Sequence, residues 1–208
     1  MLGLGCIKSE LDGTEHIYET PQTIDIPKEY SYMNNLPKVL NQGNNPFCVP
    51  CSLSSYINWK INLVDGIIKD NEVNLNEIFN NRLNFENDEG MMIKDGLTYL
   101  KKQGVNTKDG IFKINRYAKV TNLIALRFAI LMNGPCIGAL PVYNYGDGFW
   151  RKNYNDVLIG CHAVSIVGYD HDGFIIRNSW GKSYGKNGYF YIKNEEINNF
   201  IELWTIIL

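Results

Sequence analysis

The sequence predicts an α+β fold of two lobes, helical first and strand-rich second, with a cleft between them. Three observations carry that expectation. Apolar residues at Val49, Leu53, Ile57, Ile61 and Val64 recur close to helical spacing. From Cys136 onward the character changes, and runs such as Cys136 to Val142 and His162 to Tyr169 read as strands. The chain has 208 residues, 45% of them hydrophobic and 20% charged, enough for one large domain or two small lobes sharing an interface.

Taken in order, residues 1–25 are polar and mixed, and read as an N-terminal extension or an edge segment. From Ile26-Pro27 to Leu40 the chain is punctuated by proline and expected to be extended. A helix should begin at about Cys48, because Pro50 is acceptable only in a first turn, where its missing N–H would have no partner anyway. Gly66 or Asp70-Asn71 should end it. A short helix is expected from Leu75 to Leu83, and another from Met92 to Lys102 with Gly104 as its stop. Thr121 is the expected cap of a helix through Leu123, Leu126, Ile130 and Leu131, ending at Asn133-Gly134-Pro135. His162 to Tyr169 and Phe174 to Arg177 should form a hairpin about Asp170-His171-Asp172-Gly173. Tyr189 to Lys193 and Leu203 to Leu208 complete the strands. The domain should therefore span 26–208, with a helical lobe over about 41–110 and a β-rich lobe over about 111–208.

The net charge of −2 offers no basic footprint, so no nucleic-acid partner is expected. No apolar run approaches membrane-spanning length. Met1 to Lys8 lacks the basic start and long apolar stretch of a secretory signal. There are five cysteines, an odd and scattered set that does not suggest a disulfide framework. Intracellular, reducing surroundings fit best. Cys6 reads as a surface or packing thiol. Cys48 and Cys51 form a C-x-x-C, but no second half completes a zinc site, and neither metal nor cofactor is expected.

The chemistry lies in two stretches. Asn41-Gln42-Gly43 is followed by Cys48; Cys161-His162-Ala163-Val164 is followed by Arg177-Asn178-Ser179-Trp180-Gly181. A Cys, a His, an Asn and an upstream Gln are the parts needed for acyl transfer through a thiol ester. Cys48 stands where a helix begins, and unpaired N–H groups there favour a thiolate. Of the three histidines, His16 lies in the unpatterned extension and His171 at a hairpin tip. His162 opens an apolar strand, where a polar side chain demands a reason. Simple pairing about the Asp170–Gly173 turn puts Asn178 opposite Ser165, roughly 10 Å along the strand from His162. A bulge or bend must close that gap. Gln42, on a glycine-containing loop, can turn its amide toward the sulfur and share an oxyanion with the Cys48 N–H. Cys51, three residues on, is the rival nucleophile.

These blocks, together with Gly188-Tyr189 after the Trp180 segment, resemble the papain-like cysteine peptidases over residues 26 to 208. The resemblance implies a helical lobe, an antiparallel β-barrel-like lobe, and an active-site cleft between them in which Cys48 faces His162; its ungapped Gln42–Cys48 spacing favours Cys48 over Cys51, which would need a three-residue insertion in the loop. It implies that Trp180 shields the His162–Asn178 contact. It also implies that Glu89-Gly90-Met91-Met92 pairs with substrate backbone and walls an apolar pocket together with Ala139 and Ala163. A polypeptide with a hydrophobic side chain two residues before the cut would then be the substrate. The chain departs from the family pattern at Asn45, Val49, Cys161 and Tyr184. Those departures motivate an alternative: a weak or inactive module with a structural or binding role in a larger, viral or phage, assembly. With no long propeptide expected before the domain, the resemblance suggests an intracellular (cytoplasmic) or virion-associated microbial or viral member.

Overall fold

The computed structural model describes residues 2–21, 25–83 and 90–207. A two-residue strand, β1 (Cys6–Ile7), is followed by β2 (Tyr30–Ser31) and then by the long helix α1 (Cys48–Asp65). Pro50 lies in the first turn of α1, as its lost N–H requires. Gly66 ends α1 in the left-handed conformation, φ 69°, with its N–H bonded to Asn62 O at 2.9 Å. A short helix, α2 (Leu75–Asn80), precedes β3 (Met91–Met92) and α3 (Ile93–Lys102). The segment after α1 is pinned by asparagines. Asn71 N–H and its side-chain amide both donate to Asn58 Oδ1, and the amide also reaches Asn62 Oδ1 at 3.0 Å.

A small hairpin, β4 (Val105–Thr107) with β5 (Gly110–Phe112), and the strand β6 (Arg116–Lys119) were not legible as strands in the sequence. Each is too short to show a period. Helix α4 (Leu123–Asn133) follows, capped by Asn122 rather than Thr121: the Asn122 carboxamide oxygen accepts Ala125 N–H at 2.8 Å.

The second half is built on β7 (Cys136–Val142), β8 (Gly160–Tyr169), β9 (Gly173–Arg177), β10 (Tyr189–Lys193) and β11 (Glu202–Ile207). The sheet runs β10-β9-β8-β7-β11-β6, and β2 pairs with the end of β8 beyond β7. It is antiparallel throughout. The expected barrel-like lobe is not what forms. Closing a barrel requires the first and last strands to pair. Here β10 and β6 are the two ends of an open sheet, with no ladder between them among the described residues. The outer edge of β6 is instead taken by Ile17, which bridges Lys119 in parallel.

Helix α1 packs on β8, with Ser165 Oγ donating to Ser52 O at 3.1 Å. Cys48, Val49, Leu53 and Ile57 are fully buried in a core shared with Val164, Ile166 and Val167. This contact fixes the N-terminus of α1 against the start of β8, where the chemistry lies.

Gly134 closes α4 with φ 98°, and a Cβ there would sit 2.2 Å from the Trp59 ring. Gly134→Ala should therefore combine backbone strain with overpacking, each about 1–3 kcal/mol. A thermal melt should show the midpoint falling by roughly 4 °C or more.

Candidate active site

Cys48 is the first residue of α1, and its side chain is buried. Backbone N–H groups of Ala163, Gly5 and Val49 hydrogen-bond its sulfur. Burial nevertheless pushes the thiol up to about 12. A helix terminus favours a negative charge by only about 0.3–1 kcal/mol at an exposed site, rising to about 2 when partly buried. Removal from water is the larger effect here. Cys51, one turn further along α1, is also buried and also pushed up to about 12 by burial.

His162 lies on β8, wholly buried. Its Nε2 is 2.7 Å from Asn178 Oδ1. The same Oδ1 accepts Ser179 N–H at 2.8 Å, which orients the carboxamide. Because a carboxamide oxygen only accepts, Nε2 carries the proton and donates, and Nδ1 keeps its lone pair. His162 Nδ1 has no hydrogen-bond partner among the described residues. Burial lowers the imidazole to about 4, against the raising influence of the Asn178 bond. The covered pair is therefore a neutral thiol and a neutral imidazole at pH 7.

The bulge that the His162–Asn178 contact demands is present. Ser165 faces Arg177 and Ile166 faces Ile176, but Gly168 faces Ile175, leaving Val167 as the extra residue. The shift brings Asn178 one residue nearer to His162 than simple pairing allows. Beyond Arg177 the backbone turns off the sheet, with Asn178 N–H donating to Gly188 O at 2.9 Å.

Trp180 stacks on the His162 ring, with centroids 4.3 Å apart and planes at 23°. Phe149 packs against both rings, edge-on to His162 at 5.8 Å and tilted to Trp180 at 5.0 Å. Phe149 was not singled out from sequence, since an isolated aromatic in a loop carries no pattern. Ser179 was likewise missed. Its hydroxyl donates to Gln42 Oε1 at 2.5 Å and so aims the other end of the amide.

That other end, Gln42 Nε2, donates to Asn45 O at 2.8 Å and to Gly3 O at 3.0 Å. Trp180 Nε1 donates to the same Gly3 oxygen at 3.3 Å. The acceptor belongs to the protein's own N-terminal segment, which threads the cleft. Gly3 N–H donates to Gly43 O at 2.8 Å, and Met91 N–H donates to Gly5 O at 2.7 Å. Strand β1 then pairs with β3 in parallel, Cys6 opposite Met91 and Ile7 opposite Met92. Residues 3–7 thus form a strap over Cys48. Gly3 and Gly5 are glycines for a steric reason: a Cβ at either would fall 2.2–2.3 Å from the carbonyl oxygen of Asn45 or Pro46. That pair of glycines was the available signal in the sequence.

The strap continues into anchors. Ser9 N–H and Oγ both donate to Glu202 Oε1 at 3.1 Å. Lys94 pairs with Glu15 at 2.6 Å, holding that carboxyl below its ordinary range. His16 O and Lys119 O accept backbone N–H groups across the β6 edge.

Of the expected pocket residues, Met91 and Met92 are buried on β3, alongside the strap, and a Cβ on Gly90 would strike the Ile7 side chain. Ala139 and Ala163 are buried and directly opposite each other on β7 and β8. Glu89 lies outside the described residues.

A family model described as papain family cysteine protease matches residues 66–203. The chain belongs to that family. The match begins after Cys48. Over 92 residues the chain is 34% identical to Cathepsin B-like CP1 of Giardia intestinalis, covering 39% of this chain and 30% of that protein. The matched part thus spans less than a third of that relative's length. Procathepsin L of Rattus norvegicus is 24% identical over 219 residues, covering 88% of this chain and 65% of that protein. Among solved structures, xylellain, a cysteine protease from Xylella fastidiosa, superposes with a TM-score of 0.83 at 25% identity, over 99% of this chain and 96% of the other.

Protonation should loosen the strap. The covered site keeps His162 neutral down to about pH 4, whereas an exposed histidine takes its proton near 6.5. The open form binds more protons in that window. The stability that burial of neutral His162 allows is thus complete above pH 6.5 and declines as pH falls toward 4. Amide exchange at Met91, corrected for its intrinsic pH dependence, should be faster at pH 5 than at pH 7.5. An unchanged protection factor would show that His162 stays covered when the strap moves.

Proposed function

We propose that this chain hydrolyses peptide bonds through a Cys48 thiol ester once the strap has left the cleft. The observation that carries the reading is the His162–Asn178 pair at 2.7 Å, with Nδ1 left unpartnered beside the β8 residue whose N–H touches the Cys48 sulfur. In this reading Nδ1 takes the thiol proton as sulfur attacks the substrate carbonyl carbon, and the Nε2–H···Oδ1 bond holds the ring in the tautomer that permits it. Gln42 Nε2 already donates to a carbonyl oxygen, that of Gly3, and would turn the same N–H to the oxyanion with the Cys48 N–H as the second donor. The imidazolium then protonates the departing amine. Water, losing its proton to Nδ1, releases the acyl group and restores the thiol. Met91, Met92, Ala139 and Ala163 support a preference for an apolar side chain two residues before the cut.

The filled cleft and the elevated Cys48 thiol favour a second reading, a domain that uses the fold without turnover. One comparison separates the two. A chain lacking residues 1–7 should be labelled at Cys48 by a thiol-directed epoxide and should cleave a peptide library; absence of both would leave the non-catalytic reading.

Within the cleaving protein, Cys48→Ala should lower turnover by more than about 10³-fold. Cys51→Ala should keep most turnover and lose about 1 kcal/mol of stability through packing. Full activity after Cys48→Ala would remove the assignment.

A further inference from the structure

Three thiols converge where the strap crosses the cleft. Cys6 sits on β1, with its sulfur 3.7 Å from Ile7 O. Strand β1 packs against β8, and Cys161 on β8 and Cys48 both lie near enough to Cys6 to raise its thiol. Cys161 shares a face of β8 with Ala163 and Ser165, the face turned toward α1. The strap lies along this part of β8, since a Cβ on Gly160 would fall 3.1 Å from the Leu4 side chain. All of these cysteines are free thiols. They differ in access: Cys6, Cys48 and Cys51 are buried, while Cys161 is part exposed. A reagent reaching the closed molecule therefore meets Cys161 first, and the strap thiol beside Cys161 is Cys6.

We propose that Cys6 and Cys161 form a reversible disulfide that locks the strap over Cys48. The proposal rests on the peptidase reading above and adds a redox control to the same site. The oxidant is a low-molecular-weight disulfide. Cys161, as thiolate, attacks one of its sulfurs and displaces the other as a thiolate, giving a mixed disulfide. Cys6, giving up its proton, attacks the Cys161 sulfur and displaces the second small thiolate. The two departing thiolates take up the two protons. In balance, two protein thiols are oxidised, one small disulfide is reduced to two small thiols, and one protein S–S bond forms. A small dithiol reverses the step. Such a bond is a switch rather than a structural staple, since reducing conditions open it and the strap is then held only by non-covalent anchors.

The test uses the full chain with oxidised glutathione as the oxidant. Cys48→Ala is the background in which glutathione cannot block the nucleophile. Peptide mapping without reduction should show the Cys6 peptide joined to the Cys161 peptide. Amide exchange over residues 3–7 should slow by about tenfold or more on oxidation, and recover with dithiothreitol. Adding Cys6→Ser or Cys161→Ser should abolish both changes, and exchange in the rest of the chain reports whether each variant is folded. In the chain with Cys48 present, oxidation should cut epoxide labelling of Cys48 to the same extent, reversibly. In the Cys48→Ala chain, glutathione left on Cys161 with no crosslink, or unchanged exchange, would overturn the proposal; so would a Cys6–Cys48 or Cys48–Cys51 crosslink in place of Cys6–Cys161 in the chain with Cys48 present. Failure of the peptidase reading looks different: the crosslink would form, but the reduced chain freed of its strap would neither label at Cys48 nor cleave peptide.

Discussion

The hydrogen bond between His162 and Asn178 is the constraint around which the rest is arranged. An imidazole placed in a core must have its polar atoms satisfied or pointed at something useful. Asn178 satisfies Nε2, and Ser179 N–H fixes the carboxamide so that only its oxygen faces the ring. Neither could occur in a regular hairpin. The extra residue at Val167 shifts the register of β9 against β8, and the chain then leaves the sheet at Asn178. Trp180, next in line but one, folds over the ring that its neighbour holds. One irregularity in a ladder thus sets a tautomer, a ring orientation and a water-excluding lid.

The same exclusion of water governs the charge of the two groups. Covering a thiol and an imidazole disfavours the charged form of each. Burial pushes Cys48 up and His162 down, so each is held toward its uncharged form while the cleft is filled. The strap achieves this with backbone groups: Gly3 offers a carbonyl to Gln42, Gly5 offers a carbonyl to Met91 and an N–H to Cys48. The groups that fill the cleft are therefore main-chain groups of the protein's own N-terminal segment.

Much of this was legible beforehand, for identifiable reasons. The start of α1 followed from where Pro50 is tolerated, and the need for a bulge followed from counting residues around a turn. The blocks around Gln42, Cys48, His162 and Asn178 carried the resemblance to the family. What could not be read was set by contacts distant in sequence. The sheet was expected to curl into a barrel, yet its end strands find no partner in each other, and strand closure has no local signature. The short strands β4 to β6 are too brief for a period. The strap looked like unpatterned extension because its fit depends on the Asn45 and Pro46 carbonyls passing within van der Waals reach of two glycines. Thr121 and Asn122 are both good caps, and backbone direction chose between them.

One anchor of the N-terminal segment has a cost that appears only when it lets go. Ile17 occupies the outer edge of β6, where the open sheet would otherwise end in unpaired backbone donors and acceptors. A molecule that peels away this whole segment to free its cleft also bares that row of groups, and bare strand edges invite other chains to add on. Readiness to react and readiness to self-associate are thereby tied to a single stretch of polypeptide.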